Sequence, residues 1–479
     1  MRKKHTFDQI VIGGILTLLV FLAGTIAVRF FTRQICVEHF QMDNAFTRMV
    51  WFDNSEAGGF EECGTETDTW IAIDWEKQYP FEGAENETRR EGAAAKAAFY
   101  ADHLDALTVS MEQKIESYAT DMLVGYYQWV SLAKSYDRRI GWADAKQFLA
   151  TNSDEEILFL DNGYLTYAEP MIGKTDVAEL ADQVAEFNQF LDECGIDFVY
   201  VNTGSKVCPY DRKMADSYCE YTNENGDHLI EALVGRNVDV LDMRSCMIAY
   251  GMDWYDSYYI TDHHWKTETS LWAAGVLGRW LNEKNGFSFD DFYFSQSSYL
   301  FQEYEDYFLG SLGRSVTFAE ADLEAYTKIT PRFDTDFSVC IPERGIEQSG
   351  KYAEVLFQEE AFSGIAEYTE EDFLKKRGAY GCSRLGNDAL AIIKNNDASH
   401  NREKKILMLQ DSFAWYLISY LACDVGQIDV IHTPTFTGSI RNYIRKTKPD
   451  AVVLMLCEHN IDPLDENECR SHTAMFELE

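Results

Sequence analysis

Ile406-Leu407-Met408-Leu409-Gln410-Asp411-Ser412-Phe413 is the stretch whose reading decides the fold. Four consecutive apolar residues stopped by a polar turn read as a short strand buried on both faces. A helical pattern, Phe413–Leu421, starts directly after the turn. Strand, tight turn and helix in that order put Ser412 at the carboxyl end of a strand, where open α/β sheets collect ligands. The free N–H groups of the new helix would face a developing oxyanion there. Asp411-Ser412 has a second reading, an N-cap pair that only starts the helix.

The same rhythm extends outward. Strand patterns occur at Ile157–Leu160, Phe198–Val201, Val238–Leu241, Ile428–Ile431 and Ala451–Leu456. Helical patterns lie between them at Val177–Cys194, Thr267–Leu281 and Ser439–Lys446. This alternation predicts an α/β fold over residues 151–465, with a mainly parallel sheet and helices on both faces. From Phe287 to about Lys394 the rhythm breaks. Turn signals at Gly310-Ser311-Leu312-Gly313 and Ile329-Thr330-Pro331 mark that stretch as an inserted subdomain, about 287–394.

Chemistry enters with Ile260-Thr261-Asp262-His263-His264-Trp265, just before the helix that Thr267 caps. A turn would bring the Asp262 carboxylate to one nitrogen of His264, fixing its tautomer. With Ser412 this makes a hydroxyl nucleophile, an imidazole base and an orienting carboxylate, the parts of serine-dependent acyl transfer. The alternative is a metal pair at His263 and His264, but no third ligand stands at recognisable spacing. The strand Ala451–Leu456 runs into Cys457-Glu458-His459-Asn460. His459 and Asn460 are candidates for oxyanion or substrate contacts, or are simply loop polarity.

The whole chain sets the bounds. Its 479 residues suffice for two or three domains, and 46% apolar content argues for a packed body. A formal charge of -38 excludes a nucleic-acid partner, which needs a basic face. Arg2, Lys3 and Lys4 precede an uncharged apolar run, Ile10 to Val28, close to the ~20 residues that cross a bilayer. The expectation is a cytoplasmic tail at 1–9 and an uncleaved single-pass anchor at 10–31. A helical lead-in at 32–150 and a tail at 466–479 flank the catalytic body, which is extracytoplasmic. Thr25-Ile26-Ala27 also fits a signal cleavage site. Of 11 cysteines, Cys36 adjoins the membrane; Cys208 with Cys219 or Cys63 are loop candidates for disulfides. No C-x-x-C spacing points to structural zinc.

Asp262-His263-His264-Trp265 resembles the signature of the bacterial DHHW protein family, which is similar to the alginate O-acetyltransferases of the SGNH-hydrolase superfamily. Asp74-Trp75-Glu76 with Tyr79-Pro80-Phe81, Phe308-Leu309-Gly310-Ser311 and Pro449-Asp450-Ala451-Val452-Val453 look family-like too. The resemblance implies Asp262 as acid, His264 as base and Ser412 as nucleophile, with His263 at the variable position. It also implies a permuted SGNH-like sheet, with the triad in the order Asp, His, then Ser. Two departures stand out: Gln410 replaces the usual glycine before Asp-Ser, and His459 stands where relatives tend to have Arg or Asn. The implied activity is O-acetyl transfer through an acyl-serine to hydroxyls of a surface or secreted polysaccharide. A multi-pass membrane-bound O-acyltransferase would be the donor partner, and no cofactor or metal is implied. A carbohydrate acetyl esterase with the same triad, or a catalytically silent glycan-binding scaffold, are the rivals.

Overall fold

A computed structural model of the protein describes residues 157–167, 177–214, 221–284, 286–375, 378–436 and 438–461. The expected anchor, the lead-in at 32–150, Cys63, Cys219 and the 466–479 tail lie outside them. No described helix is long and apolar enough to cross a membrane. Among the described residues Cys208 is in no disulfide.

In chain order the main elements are β1 (Ile157–Phe159), β2 (Leu165–Tyr167), α1 (Ala178–Cys194), β3 (Asp197–Asn202), α2 (Thr222–Val234), β4 (Val240–Asp242), α3 (Met243–Tyr250) and α4 (Thr267–Lys284). Then come β5 (Tyr299–Phe308), α5 (Ser311–Val316), β6 (Glu324–Pro331), β7 (Phe337–Ile341), β8 (Ile346–Gly350) and β9 (Ala391–Asn395). The chain continues through β10 (Lys405–Gln410), α6 (Ala414–Leu421), β11 (Gln427–His432), α7 (Ile440–Thr447) and β12 (Ala451–Leu456).

Side-chain alternation builds the layers. Ile406 and Met408 of β10 enter one core and Leu407 and Leu409 the other, all four fully buried. Val199 and Val201 of β3 and Val453 and Met455 of β12 join the first core; Phe198, Tyr200, Val452 and Leu454 join the second. A strand apolar on both faces has to be covered on both, and each such aliphatic side chain stabilises the fold by about 1.5–3 kcal/mol. Helices α4 and α6 pack on the first face through Leu271, Leu277, Leu417 and Ile418. Helices α1, α2 and α7 cover the second through Val184, Phe187, Leu229 and Ile444.

The eight-stranded sheet has the order β4-β3-β12-β10-β11-β9-β7-β8. β4, β3, β12, β10 and β11 are mutually parallel; β9 pairs antiparallel with β11, and β7 antiparallel with β9 and β8. The α/β reading thus holds with two refinements. β1 pairs with β2 in a separate ribbon rather than joining the sheet. β7 and β8, from the stretch read as an insertion, extend the main sheet, whereas β5 and β6 form their own ribbon. Helix α2 escaped sequence reading because Asn223, Asn225, Gly226 and Asp227 are poor helix formers; burial of Leu229 and Leu233 overrides them.

Candidate active site

The loop before α4 is pinned at its base by a bridge between Tyr258 and Trp265 and by the Tyr259 N–H donating to the His264 carbonyl at 3.1 Å. Trp265 is fully buried, so the two imidazoles ahead of it stay in the tip. Within the tip, Asp262 Oδ1 accepts the His264 backbone N–H at 3.1 Å, a turn that brings the two side chains together. His264 Nδ1 then donates to Asp262 Oδ1 at 2.5 Å. The other carboxylate oxygen accepts the Ser311 N–H at 2.7 Å from the start of α5. Burial alone would raise the Asp262 carboxyl, but the adjoining His264, with His263 and the Ser311 amide, holds it well below the usual carboxylate range.

Ser412 lies 148 residues further along the chain, and its hydroxyl reaches His264 Nε2 at 2.6 Å. With the Nδ1 proton held by Asp262, Nε2 is the acceptor for that hydroxyl. Asp262, His264 and Ser412 therefore form one continuous hydrogen-bonded series, with Asp262 and His264 buried and Ser412 partly open.

Asp411 does the turn-making. Its Oδ1 accepts the Phe413 N–H at 3.0 Å, and its carbonyl accepts the Ala414 N–H at 3.2 Å, which starts α6. Its Oδ2 accepts the Cys457 N–H at 2.5 Å and Asn460 Nδ2 at 2.8 Å, tying the end of β10 to the end of β12. Asp411 thus shapes the turn ahead of α6, whose N-cap is Phe413 without a side-chain cap, and the Ser412 hydroxyl is left to His264. The Ser412 backbone N–H makes no hydrogen bond to a described residue, which leaves it as a donor beside the nucleophile. Gln410 is fully buried, and neither atom of its amide has a hydrogen-bond partner among the described residues.

The remaining expected residues are nearby in different roles. His263 packs against His264, tilted by 37° with ring centroids 3.8 Å apart, and its Nδ1 is 3.4 Å from both the Tyr167 and Ser311 hydroxyls. Burial and the neighbouring His264 keep His263 well below the usual imidazole range. His459 meets the Tyr167 ring edge-on at 5.8 Å, and burial with the charge of Lys206 lowers it to about 4. Asn460 directs an amide N–H to Asp411. Ligand atoms of Asp262, His263 and His264 lie within 4.8 Å of one another, the one such metal-sized group among the described residues. An ion bound by His264 there would compete with Asp262 for Nδ1 or with Ser412 for Nε2.

Sequence reading missed the supports from residues 287–394. Tyr380 lies over His264, with centroids 4.3 Å apart and planes 19° apart, and its hydroxyl donates to the Ser412 carbonyl at 3.2 Å. Gly310 donates its N–H to Thr261 Oγ1 at 2.8 Å. Gly310 and Ser311 did carry a signal, as a turn and as part of the family-like Phe308-Leu309-Gly310-Ser311, but neither reading gave them a role in the site.

Residues 153–292 match the family described as the SGNH hydrolase-like domain of the acetyltransferase AlgX. No curated protein matches the sequence. Among solved structures, Bacillus cereus PatB1 with a sulfonyl adduct is similar at 15% identity and a TM-score of 0.53, over 68% of this chain and 99% of that one. A DHHW family protein from Eubacterium siraeum is similar at 16% identity and 0.49, over 64% and 90%. The O-acetyltransferase domain of Pseudomonas putida AlgJ is similar at 13% and 0.38, over 64% and 91%. The PatB1 likeness shows a shared fold. Over residues 153–292 the chain is therefore similar to the SGNH hydrolase-like domain of the acetyltransferase AlgX, in keeping with the resemblance read from its sequence.

Proposed function

We propose that this protein is a membrane-anchored, extracytoplasmic O-acetyltransferase that moves an acetyl group through an acyl-serine to hydroxyls of a surface or secreted polysaccharide. The observation that carries the reading is the Asp262–His264–Ser412 series. Ser412 Oγ attacks the acetyl carbonyl of the donor while His264 Nε2 takes the hydroxyl proton. Asp262 stabilises the imidazolium that forms, and the Ser412 N–H faces the oxyanion. As the intermediate collapses, the C–O bond to the leaving group breaks, and the imidazolium returns its proton to that group. A sugar hydroxyl then gives its proton to Nε2 and attacks the acetyl-serine; collapse releases the acetylated sugar and restores the Ser412 hydroxyl.

The acceptor class draws on the resemblance to the alginate O-acetyltransferases and on the match of residues 153–292 to the acetyltransferase AlgX. The apolar run Ile10 to Val28 supports the anchor. A multi-pass membrane-bound O-acyltransferase is the proposed donor. The test incubates the purified full-length protein in detergent with 4-nitrophenyl acetate and a panel of neutral and acidic oligosaccharides. Acetylated sugar formed faster than free acetate, and lost in Ser412→Ala, supports transfer. Acetate alone with every acceptor overturns transfer in favour of the esterase. No product of either kind, with the wild-type rate equal to that of Ser412→Ala, favours the silent scaffold.

A further inference from the structure

We infer that Glu324 is a positioning residue that sets Asp262 in line with His264 by gripping the backbone of Ile260 and Thr261. The inference rests on the triad reading above. Glu324 opens β6 and is buried, at 9% exposure. Its Oε2 accepts the Ile260 N–H at 2.7 Å; its Oε1 accepts the Thr261 N–H at 2.7 Å and, in a short contact, the Thr261 hydroxyl. Three donors on the two oxygens of one planar carboxylate fix the orientation of two successive peptide groups, and Asp262 follows at once.

The grip is two-sided. Lys206, with no exposed surface, donates from Nζ to the Ile260 carbonyl at 3.0 Å and to the Leu165 carbonyl at 2.6 Å. The Thr261 carbonyl accepts the Gly313 N–H at 2.8 Å. Each peptide group ahead of Asp262 is thus held by a group from another part of the fold. A solvated loop would leave such groups to water, and burying a carboxylate and an ammonium for this purpose is costly unless hydrogen bonds compensate. A fully packed surface loop needs neither charge. Burial pushes the Glu324 carboxyl up, opposed by its three donors and by Lys206; burial brings Lys206 down to about 7, opposed by Glu324 and Asp262. Glu324 touches no reacting atom. It acts through Asp262, so its effect should vanish when Asp262 is gone.

That dependence is the test. Glu324→Gln keeps the size of the side chain but replaces one accepting oxygen by an amide NH2 that faces a donor, so the grip is broken on that side. It is made in the wild-type protein and in Asp262→Ala, both full-length, with Ser412→Ala as reference and thermal melting as the folding check. With 4-nitrophenyl acetate, Glu324→Gln lowers kcat about 100-fold with KM changed less than about twofold. In the Asp262→Ala background it changes kcat by less than about twofold, because the two act as one unit. An unchanged kcat in the wild-type background, or an equal loss in both, overturns the assignment. Should Glu324→Gln not fold, Thr261→Val removes one donor and the link to Gly310, and the same dependence on Asp262 is read from it. If Asp262→Ala and Ser412→Ala themselves keep full rates, the triad reading falls first; if they abolish the rate and Glu324→Gln spares it, only Glu324 loses its role.

Discussion

Gly310→Ala is the substitution whose cost follows most directly from the geometry. The backbone at 310 has φ -71 and ψ 177, extended values that alanine adopts freely. Space is what forbids it. A Cβ at 310 would lie 2.3 Å from Asp262 Cβ and 2.4 Å from the Thr261 carbonyl oxygen. Ordinary contact begins near 3.4 Å, so the two segments must separate by roughly 1 Å. Neither clashing atom is the end of a flexible side chain. The separation carries Asp262 away from the Ser311 N–H and alters its approach to His264. A displacement of that size costs about 100-fold in kcat, and the overpacking about 1–3 kcal/mol of stability. The assay is steady-state hydrolysis of 4-nitrophenyl acetate at a temperature where a melting curve shows both proteins folded. Gly364→Ala is the control, since its Cβ meets nothing within 4 Å. Wild-type kcat in Gly310→Ala would refute the reasoning.

Four further outcomes are expected. Arg244 binds Glu458, Asp242 and Asp227 at 2.8, 3.0 and 2.8 Å, with Glu458 wholly buried. Arg244→Met removes that carboxylate's cation and should lower the urea-unfolding free energy by about 3–5 kcal/mol, an effect that Glu458→Gln partly reverses. His459, lowered to about 4, stays neutral while an unfolded chain takes up a proton near 6.5. Its contribution is therefore complete above pH 6.5 and is lost as pH falls to about 4, worth about 1–3 kcal/mol after discounting for partial exposure. His459→Phe should flatten the melting temperature across that window; an unchanged slope refutes it. Tyr380→Phe keeps the ring over His264 and should retain kcat, whereas Tyr380→Leu, losing about 0.5–2 kcal/mol of ring–imidazolium attraction, should lower it roughly two- to thirtyfold. Gln410→Met removes a buried amide that has no partner among the described residues and should raise stability by about 1–3 kcal/mol in the same urea titration.

The sheet and the three central residues were legible because their signals are local. Ile406–Leu409 is apolar at every position, and Asp262 and His264 stand two apart in a turn ahead of a capped helix. Ser412 was ambiguous in isolation because Asp411 and Ser412 can each cap a helix. In the structure neither side chain caps α6; Asp411 instead holds the turn through Phe413, Cys457 and Asn460. Asn460 reads from its place after β12 as an oxyanion or substrate contact or as loop polarity, but sequence does not tell that its amide reaches Asp411. Glu324 and Lys206 could not be found. A lone acid or lysine ordinarily reads as solvated surface, and their burial follows from β6 and from the turn after β3 meeting at the Ile260 backbone. The stretch 287–394 hid its role for a similar reason. Its long strands β5 and β6 form a ribbon outside the main sheet, and β7 joins that sheet through β9, a pairing distant in sequence.

The central claim is that Ser412, activated by His264 and Asp262, carries the acyl group. Intact-mass and peptide mass spectrometry of the full-length protein, quenched in acid after incubation with 4-nitrophenyl acetate, addresses it directly. The account predicts one acetyl adduct mapped to Ser412, absent in Ser412→Ala and slowed in His264→Ala. An adduct on another residue, or acetyl-ester turnover that persists in Ser412→Ala, would contradict it.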